Sequence, residues 1–312
     1  LNIFRKIYRH TYLGRLLGMT FHWASTHLLP DKYFLKMVYR KEMGKKLDLK
    51  NPITLNEKIN WLKLYDRTPL HTQCADKYAV RKYVKDRIGE GYLVPLYFHS
   101  EDPDAINPGN IKNIPCIIKT NHDSSGGIFI KDLTGVDWDS VREKLRLRLR
   151  KNYYYGSKEW QYKNIKPRII VEKLLQDSRG NIPLDYKLHC FNGKVNMIQV
   201  DIGRDTENHH RNWYSPAWER EPYRWSSPKG KGKYTDPGDD DVAQPATLGK
   251  MIALSEVLAA PFDYVRIDWY DVDGVLYFGE ITFHHDGGKQ PIKPEKWDEI
   301  LGRKVQLTNF RP

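Results

Sequence analysis

The chain has 312 residues, with 51 Lys+Arg against 39 Asp+Glu, a formal net charge of +12 at pH 7, 40% hydrophobic and 29% charged residues. This describes a soluble protein of two or three subdomains. The cysteines Cys74, Cys116 and Cys190 lack CxxC spacing, which excludes a disulfide framework and a zinc site. No apolar run nears the roughly 20 residues of a membrane span and no signal-peptide core is present, so a cytoplasmic location is expected. The positive charge favours an anionic partner such as a nucleotide, acidic polysaccharide, anionic lipid or nucleic acid.

Residues 1–50 read as a basic helical segment. Ile3, Phe4, Ile7, Tyr8, Leu16 and Leu17 recur at helical spacing against Arg5, Lys6, Arg9 and Arg15. Such a stripe suits a helix docked on its own domain or one in peripheral contact with the inner membrane surface. A further helical region covers 28–46 and ends near Gly44. Residues 51–115 read as an N-terminal α/β region. Thr54 and Glu57 form a capping box ahead of a helix that stops before Pro69. A second helix is predicted from Asp76 to Arg87, with Lys77 at its start, where amides and an ammonium jointly hold phosphate. A short strand follows at 92–97.

Residues 116–172 contain the apolar strand Cys116 to Thr120, with Lys119 odd for a buried position, then a loop with Ser124, Ser125, Gly126 and Gly127, then a strand at 128–130. Glycines let backbone amides approach phosphate oxygens, although a plain polar hairpin loop reads the same. A basic helix covers 141–152, and a strand from Arg168 to Leu175 ends in a hinge. In residues 173–312, the runs 185–191 and 194–204 form a hairpin about Asn192-Gly193, with Asp185 and Lys187 on one face. Residues 205–245 have no sustained period. They read as a polar lid or loop, or as a frame in which Trp and Arg residues hold a sugar. Helices follow at 246–258 and 293–301.

Between these two helices, residues 264–288 hold two strand-like runs. Alternation puts Arg266 with Asp268 on one face and Glu280 with Thr282 on another. A two-residue Asp273-Gly274 turn places Asp268 opposite Gly279, whereas an odd loop or a glycine bulge places it opposite Glu280. The odd register is expected. Facing carboxylates repel unless a cation lies between them, which makes a candidate magnesium site. An ion pair of Arg266 with Asp268 explains the pattern almost as well. His284 and His285 point to opposite faces, so one of them is expected to line the acceptor site.

The blocks LNEKINWLKLYDR, ADKYAVRKY, CIIKTNHDSSGG, IIVEKLL, DYKLHCFNGK and VRIDWY..DG.LYFGEITF, in this order from about Lys41 to Leu307, resemble the TupA-like ATP-grasp family, associated with teichuronopeptide and capsular polysaccharide biosynthesis. The resemblance implies an α+β ATP-grasp fold, in which two α+β subdomains clasp ATP behind a smaller N-terminal α/β region. It also implies ADP-forming carboxylate–amine ligation through an acylphosphate, with ATP and Mg2+. On that basis Lys77, Lys119 and the loop Ser124, Ser125, Gly126 and Gly127 bind phosphates. Glu172, Lys173 and Leu175 face adenine, Asp185 the ribose and Lys187 the γ-phosphate. Asp268, Glu280 and Thr282 hold magnesium, Arg266 steadies the acylphosphate, and Arg204, Arg211, Trp213 and His284 contact substrate. Thr282 stands where many ATP-grasp enzymes have Asn. The partners implied are a uronic-acid saccharide and an amino acid or small amine, with no nucleic acid. A glycosyltransferase and a non-enzymatic polyanion-binding protein are the alternatives.

Overall fold

The computed structural model describes Thr20 and residues 23–124, 126–204 and 206–310. The basic stripe of residues 1–19 lies outside the described residues. Among those described, no helix is long and apolar enough to cross a membrane.

Helix α1 spans Asp31–Met43. Helix α2, Leu55–Tyr65, starts on the capping box: the Thr54 hydroxyl accepts from Glu57 N–H, and the Glu57 carboxylate from Thr54 N–H at 3.0 Å. Helix α3 is Pro69–Ala75 and α4 is Val80–Ile88. The latter begins four residues later than the sequence suggests, because Asp76 Oδ1 accepts from the N–H groups of Tyr78 at 2.8 Å and Ala79 at 3.3 Å. The carboxylate turns the chain there, and Lys77 falls in the turn rather than at a helix start.

The first sheet joins β1 (Leu96–Ser100), β2 (Cys116–Thr120), β3 (Ile128–Ile130) and β4 (Ile169–Lys173) in the antiparallel order β1-β4-β2-β3. It thus draws a strand from the stretch 51–115. Cys116, Ile118, Ile169 and Val171 pack against Val141 and Leu145 of α5 (Trp138–Leu149). The alternation that buries those residues turns Ile117, Lys119 and Glu172 to the other face. Helix α6 is the short Tyr153–Ser157.

The second sheet contains β5 (Asp185–Phe191), β6 (Lys194–Ile202), β7 (His210–Tyr214), β8 (Tyr264–Val272) and β9 (Val275–Thr282), in the antiparallel order β9-β8-β5-β6-β7. One face carries Tyr186, Leu188, Ile198, Val200, Val265, Ile267 and Trp269, and packs with α4 and with α7 (Leu248–Ala259). The opposite face carries Asp185, Lys187, His189, Gln199, Asp201, Arg266 and Asp268, all buried. Beyond them lies an aromatic core shared by α1, α2 and α8 (Lys296–Lys304).

The expected lid is not one. Within 205–245, β7 extends the large sheet through pairs from Ile198↔Tyr214 to Ile202↔His210, and Trp213 and Trp225 are buried at 1% and 0% exposure. Strands of two to five residues are too short to show a period, so this segment reads as irregular although its aromatic side chains lock it to the core.

The β8–β9 hairpin combines the two-residue turn with the glycine bulge. Its turn is the two-residue Asp273-Gly274, with φ of 50° and 87° and Val272 paired with Val275. The register then shifts between Ile267↔Ile281 and Trp269↔Phe278, so that Asp268 faces both Gly279 and Glu280. Gly279 suits the bulge, since a Cβ there would crowd Asp268 O at 3.1 Å and the Tyr270 ring at 3.2 Å. The loop after β9 is held from α2, where Asn56 Nδ2 donates to Gln290 O at 3.1 Å, Asn60 Nδ2 to Gly288 O at 2.6 Å and Lys63 Nζ to Gly287 O at 2.8 Å.

Candidate active site

The polar face of the large sheet is built by cross-strand alternation of charge. Asp268 pairs in register with Lys187, and Arg266 with His189 and Thr282. Arg266 donates to Asp268 through Nε and Nη2, both at 2.7 Å, and to Glu280 Oε1 through Nη2 at 2.9 Å. The cation between the two carboxylates is therefore the Arg266 guanidinium. Lys187 Nζ reaches Asp268 Oδ2 at 3.0 Å and also bonds Asp185, whose Oδ2 accepts from Arg204 at 2.6 Å. A continuous chain of opposite charges thus runs from Arg204 to Glu280. Burial opposes ionisation of Glu280, but Arg266, Lys77, Lys187 and Arg204 hold its carboxyl down at about 2.

From the small sheet, Lys119 Nζ lies 2.6 Å from Glu172 Oε2, and Arg81 lies 3.2 Å from the other oxygen. Lys77 bonds the Asp123 carbonyl at the start of the glycine loop. Burial lowers its ammonium pKa, against the attraction of Glu280. Lys77, Lys119, Glu172 and Glu280 form one electrostatic cluster. The sequence-predicted phosphate lysines and carboxylates are thus brought together from two sheets. In the loop, Ser124 bonds the Tyr153 hydroxyl, Gly126 O accepts from Arg148 at 3.0 Å, and a Cβ at Gly127 would strike Ile117 at 2.3 Å. Ser125 lies outside the described residues. At the hinge, Lys173 N–H is taken by Pro95 O and Leu174 N–H by Pro115 O. Lys173 is exposed, Leu175 is buried, and no hydrogen bond engages Leu175 N–H among the described residues. Asp185 Oδ1 is buried without a partner, an acceptor open to a ligand hydroxyl.

A cleft of about 1160 Å³ opens beside this network, with Arg266, Glu280, Thr282 and His284 on one side and Tyr153, Tyr155 and Tyr162 among its other lining residues. Glu280, Thr282 and His284, spaced by two, all line it. Of the four residues predicted to contact substrate, only His284 does so. Trp213 stacks on Trp225 in the core at 5.8 Å. Arg211 is buried and bonds Asp201 at 3.0 Å and Asp286 at 3.3 Å. Arg204 joins Asp185. In each case a neighbouring carboxylate or aromatic ring, absent from any local pattern, claims the side chain.

Sequence reasoning left the role of His285 open and missed Gln161 and Lys63. His285 Nδ1 lies 2.9 Å from Arg266 Nη1. Gln161 Nε2 lies 3.2 Å from Glu159 Oε2 and 3.1 Å from His284 Nδ1. Lys63 lines the cleft, with burial pushing its ammonium down to about 8. Of these, only Lys63 lies in a block that carries the resemblance, LNEKINWLKLYDR. Of the predicted metal ligands, Glu280 and Thr282 line the cleft, as suits a nucleotide-borne magnesium, whereas both oxygens of the buried Asp268 accept from Arg266 and Lys187. Among the described residues no three His, Cys, Asp or Glu converge into a cage, and Mg2+ is usually held by one or two carboxylates plus phosphates. Glu280 Oε2 has no hydrogen bond among the described residues. Thr282 Oγ1 donates to Glu280 Oε1 at 3.2 Å.

Two α+β sheets converging lysines and an Arg–Asp–Glu cluster define an ATP-grasp protein. The chain belongs to the TupA-like ATPgrasp family, which matches residues 57–306. It is also similar to solved structures, though distantly. D-alanine–D-alanine ligase from Bacillus anthracis complexed with ATP is 16% identical, with a TM-score of 0.40, covering 68% of this chain and 55% of that one. The ADP complex of N5-carboxyaminoimidazole ribonucleotide synthetase is 13% identical, with a TM-score of 0.42, covering 73% and 50%. L-amino acid ligase from Bacillus licheniformis is 12% identical, with a TM-score of 0.43, covering 91% and 65%. The chain spans about half the length of the first two. No match is found among curated proteins.

Proposed function

We propose that this protein is an ADP-forming carboxylate–amine ligase that uses ATP and Mg2+. The observation carrying this reading is the convergence of Lys77, from the turn before α4, and Lys119, from the small sheet, with Lys187, Arg266, Asp268 and Glu280 of the large sheet. The substrate carboxylate attacks the γ-phosphorus, ADP leaves, and the resulting acylphosphate is attacked by an amine that expels phosphate. Lys77, Lys119 and Lys187 offset the phosphate charge, and Arg266 holds the acylphosphate oxygens. Glu280, with Thr282 beside it, would hold Mg2+, which would supply Lewis-acid neutralisation of the phosphate oxygens, while Asp268 fixes Arg266 and Lys187.

The cleft is the acceptor chamber in this reading. Its volume exceeds the roughly 300–1,000 Å³ typical of drug-sized ligand sites, and its tyrosines offer faces for a pyranose ring. The family resemblance supports a uronic acid of a bacterial surface polysaccharide, capsular polysaccharide among them, as the carboxylate, with an amino acid or small amine as its partner, acting in the cytoplasm where ATP is abundant. Glycosyl transfer gives the paired lysines and the glycine loop no task. The test is ADP release from ATP and Mg2+, screened with amino acids against glucuronate and galacturonate. A productive pair is expected. ATP with Mg2+ that fails to raise the melting temperature overturns the reading.

A further inference from the structure

The ion-pair chain on the polar sheet face ends at Arg204, and Arg204 differs from its other cations. Lys187 and Arg266 keep only 6% and 9% of their side chains exposed, and their N–H groups are turned on Asp185, Asp268, Glu280 and His285. The Arg204 side chain is 55% exposed. Of its five N–H donors, one bonds Asp185 Oδ2 at 2.6 Å, and no other protein contact is made among the described residues. The carboxylate that anchors it is itself 3% exposed and shared with Lys187. One edge of the guanidinium is fixed on Asp185, and the rest of the side chain is exposed.

The location follows from its neighbours. Arg204 interacts with Asp185, Tyr270, Asp201 and Glu280. Glu280 is at the same time the shared electrostatic neighbour of Lys77 and Lys187. Through Asp185, Arg204 is joined to Lys187 and so to the Asp268, Arg266 and Glu280 cluster. A planar guanidinium with spare donors, held by one carboxylate beside a lysine cluster, is suited to phosphate oxygens, which it can bridge with two parallel hydrogen bonds.

We propose that Arg204 is a nucleotide-binding residue that contacts the terminal phosphates of ATP from the end of β6, beside Lys187. This rests on the ATP reading above. It replaces the sugar contact expected from the sequence. The competing role is local: Arg204 only neutralises Asp185.

The experiment compares Kd values of the wild type, Arg204→Met and Arg204→Lys for AMP-PNP, ADP and AMP, each with Mg2+, after thermal unfolding shows that the variants fold. The expected result is that Arg204→Met weakens AMP-PNP by about tenfold or more, ADP less, and AMP not at all, while Arg204→Lys recovers part of the loss. Equal weakening of all three nucleotides, or no weakening, overturns the proposal and leaves the ATP reading standing. A wild type that binds none of the three overturns both.

Discussion

His285 Nδ1 accepts a hydrogen bond from Arg266 Nη1 at 2.9 Å. A guanidinium can only donate, so the imidazole must carry its proton on Nε2. Burial together with the Arg266 charge keeps this histidine neutral, well below its usual range. Replacing the acceptor frees Arg266 to turn. His285→Phe is expected to lower kcat for ADP release by about 10- to 100-fold, the order of one lost charged hydrogen bond, with the Kd for ATP unchanged. His285→Asn, which keeps an acceptor, restores part of the rate. A loss in nucleotide affinity equal to the loss in kcat speaks for a merely structural role.

The two carboxylates differ in how much folding depends on them. Asp268 is 2% exposed and holds both Arg266 and Lys187, so Asp268→Asn leaves buried cations short of a partner. A cost of about 3–5 kcal/mol follows, read as a drop in urea midpoint. Glu280 has a side chain 42% exposed, and Glu280→Gln is expected to cost about 1 kcal/mol or less. Both variants lose ADP release. Equal stability losses sink the distinction.

Glu280 also sets an acid dependence. Its folded pKa of about 2 lies below the ordinary value of 4.5. Its contribution to stability is therefore complete above pH 4.5 and is lost as pH falls through about 2. The melting-temperature gap between wild type and Glu280→Gln should be constant from pH 7 to 5 and shrink below that. A gap that widens on acidification contradicts the assignment.

Gly279 lets β9 bulge against Asp268. Gly279→Ala places a methyl 3.1 Å from Asp268 O and is expected to cost about 1–3 kcal/mol through strain. The Kd for Mn2+ with ADP should rise in the same variant. Unchanged Mn2+ binding alongside lowered stability uncouples the bulge from the site.

Trp213 tests the reassignment of 205–245. As a core residue 1% exposed and stacked on Trp225, its change to Ala should cost about 3–5 kcal/mol. Trp213→Phe, which keeps most of the packing, should leave substrate KM unaltered. A KM raised tenfold in Trp213→Phe restores the sugar-platform reading.

Legibility in the sequence followed the range of the interactions. Strand β2, the 185–202 hairpin and the α2 capping box were readable because alternation and capping act within a few residues. The pairing of Arg266 with both carboxylates needed the Gly279 bulge, which the sequence offered only as one of two registers. Lys77 was misplaced on a helix because the Asp76 turn outweighs the helical pattern behind it. Trp213, Arg211 and Arg204 were assigned to a saccharide by residue type. Their actual partners, Trp225, Asp201 and Asp185, lie 10 to 19 residues away in the chain, beyond the reach of local pattern. Glu159, Gln161 and Lys63 carried no motif of their own.

The row of Asn56, Asn60 and Lys63 on α2 gives the upstream part of the chain a share in the chemistry. One helix face supplies the donors for three backbone carbonyls of the segment that carries His284 and His285. A fragment beginning after Asp66 retains every strand of both sheets and every proposed phosphate ligand, yet lacks the clasp that sets Arg266's imidazole support. The proposed phosphate ligands and the helix that holds the His285 segment thus lie in different stretches of the chain.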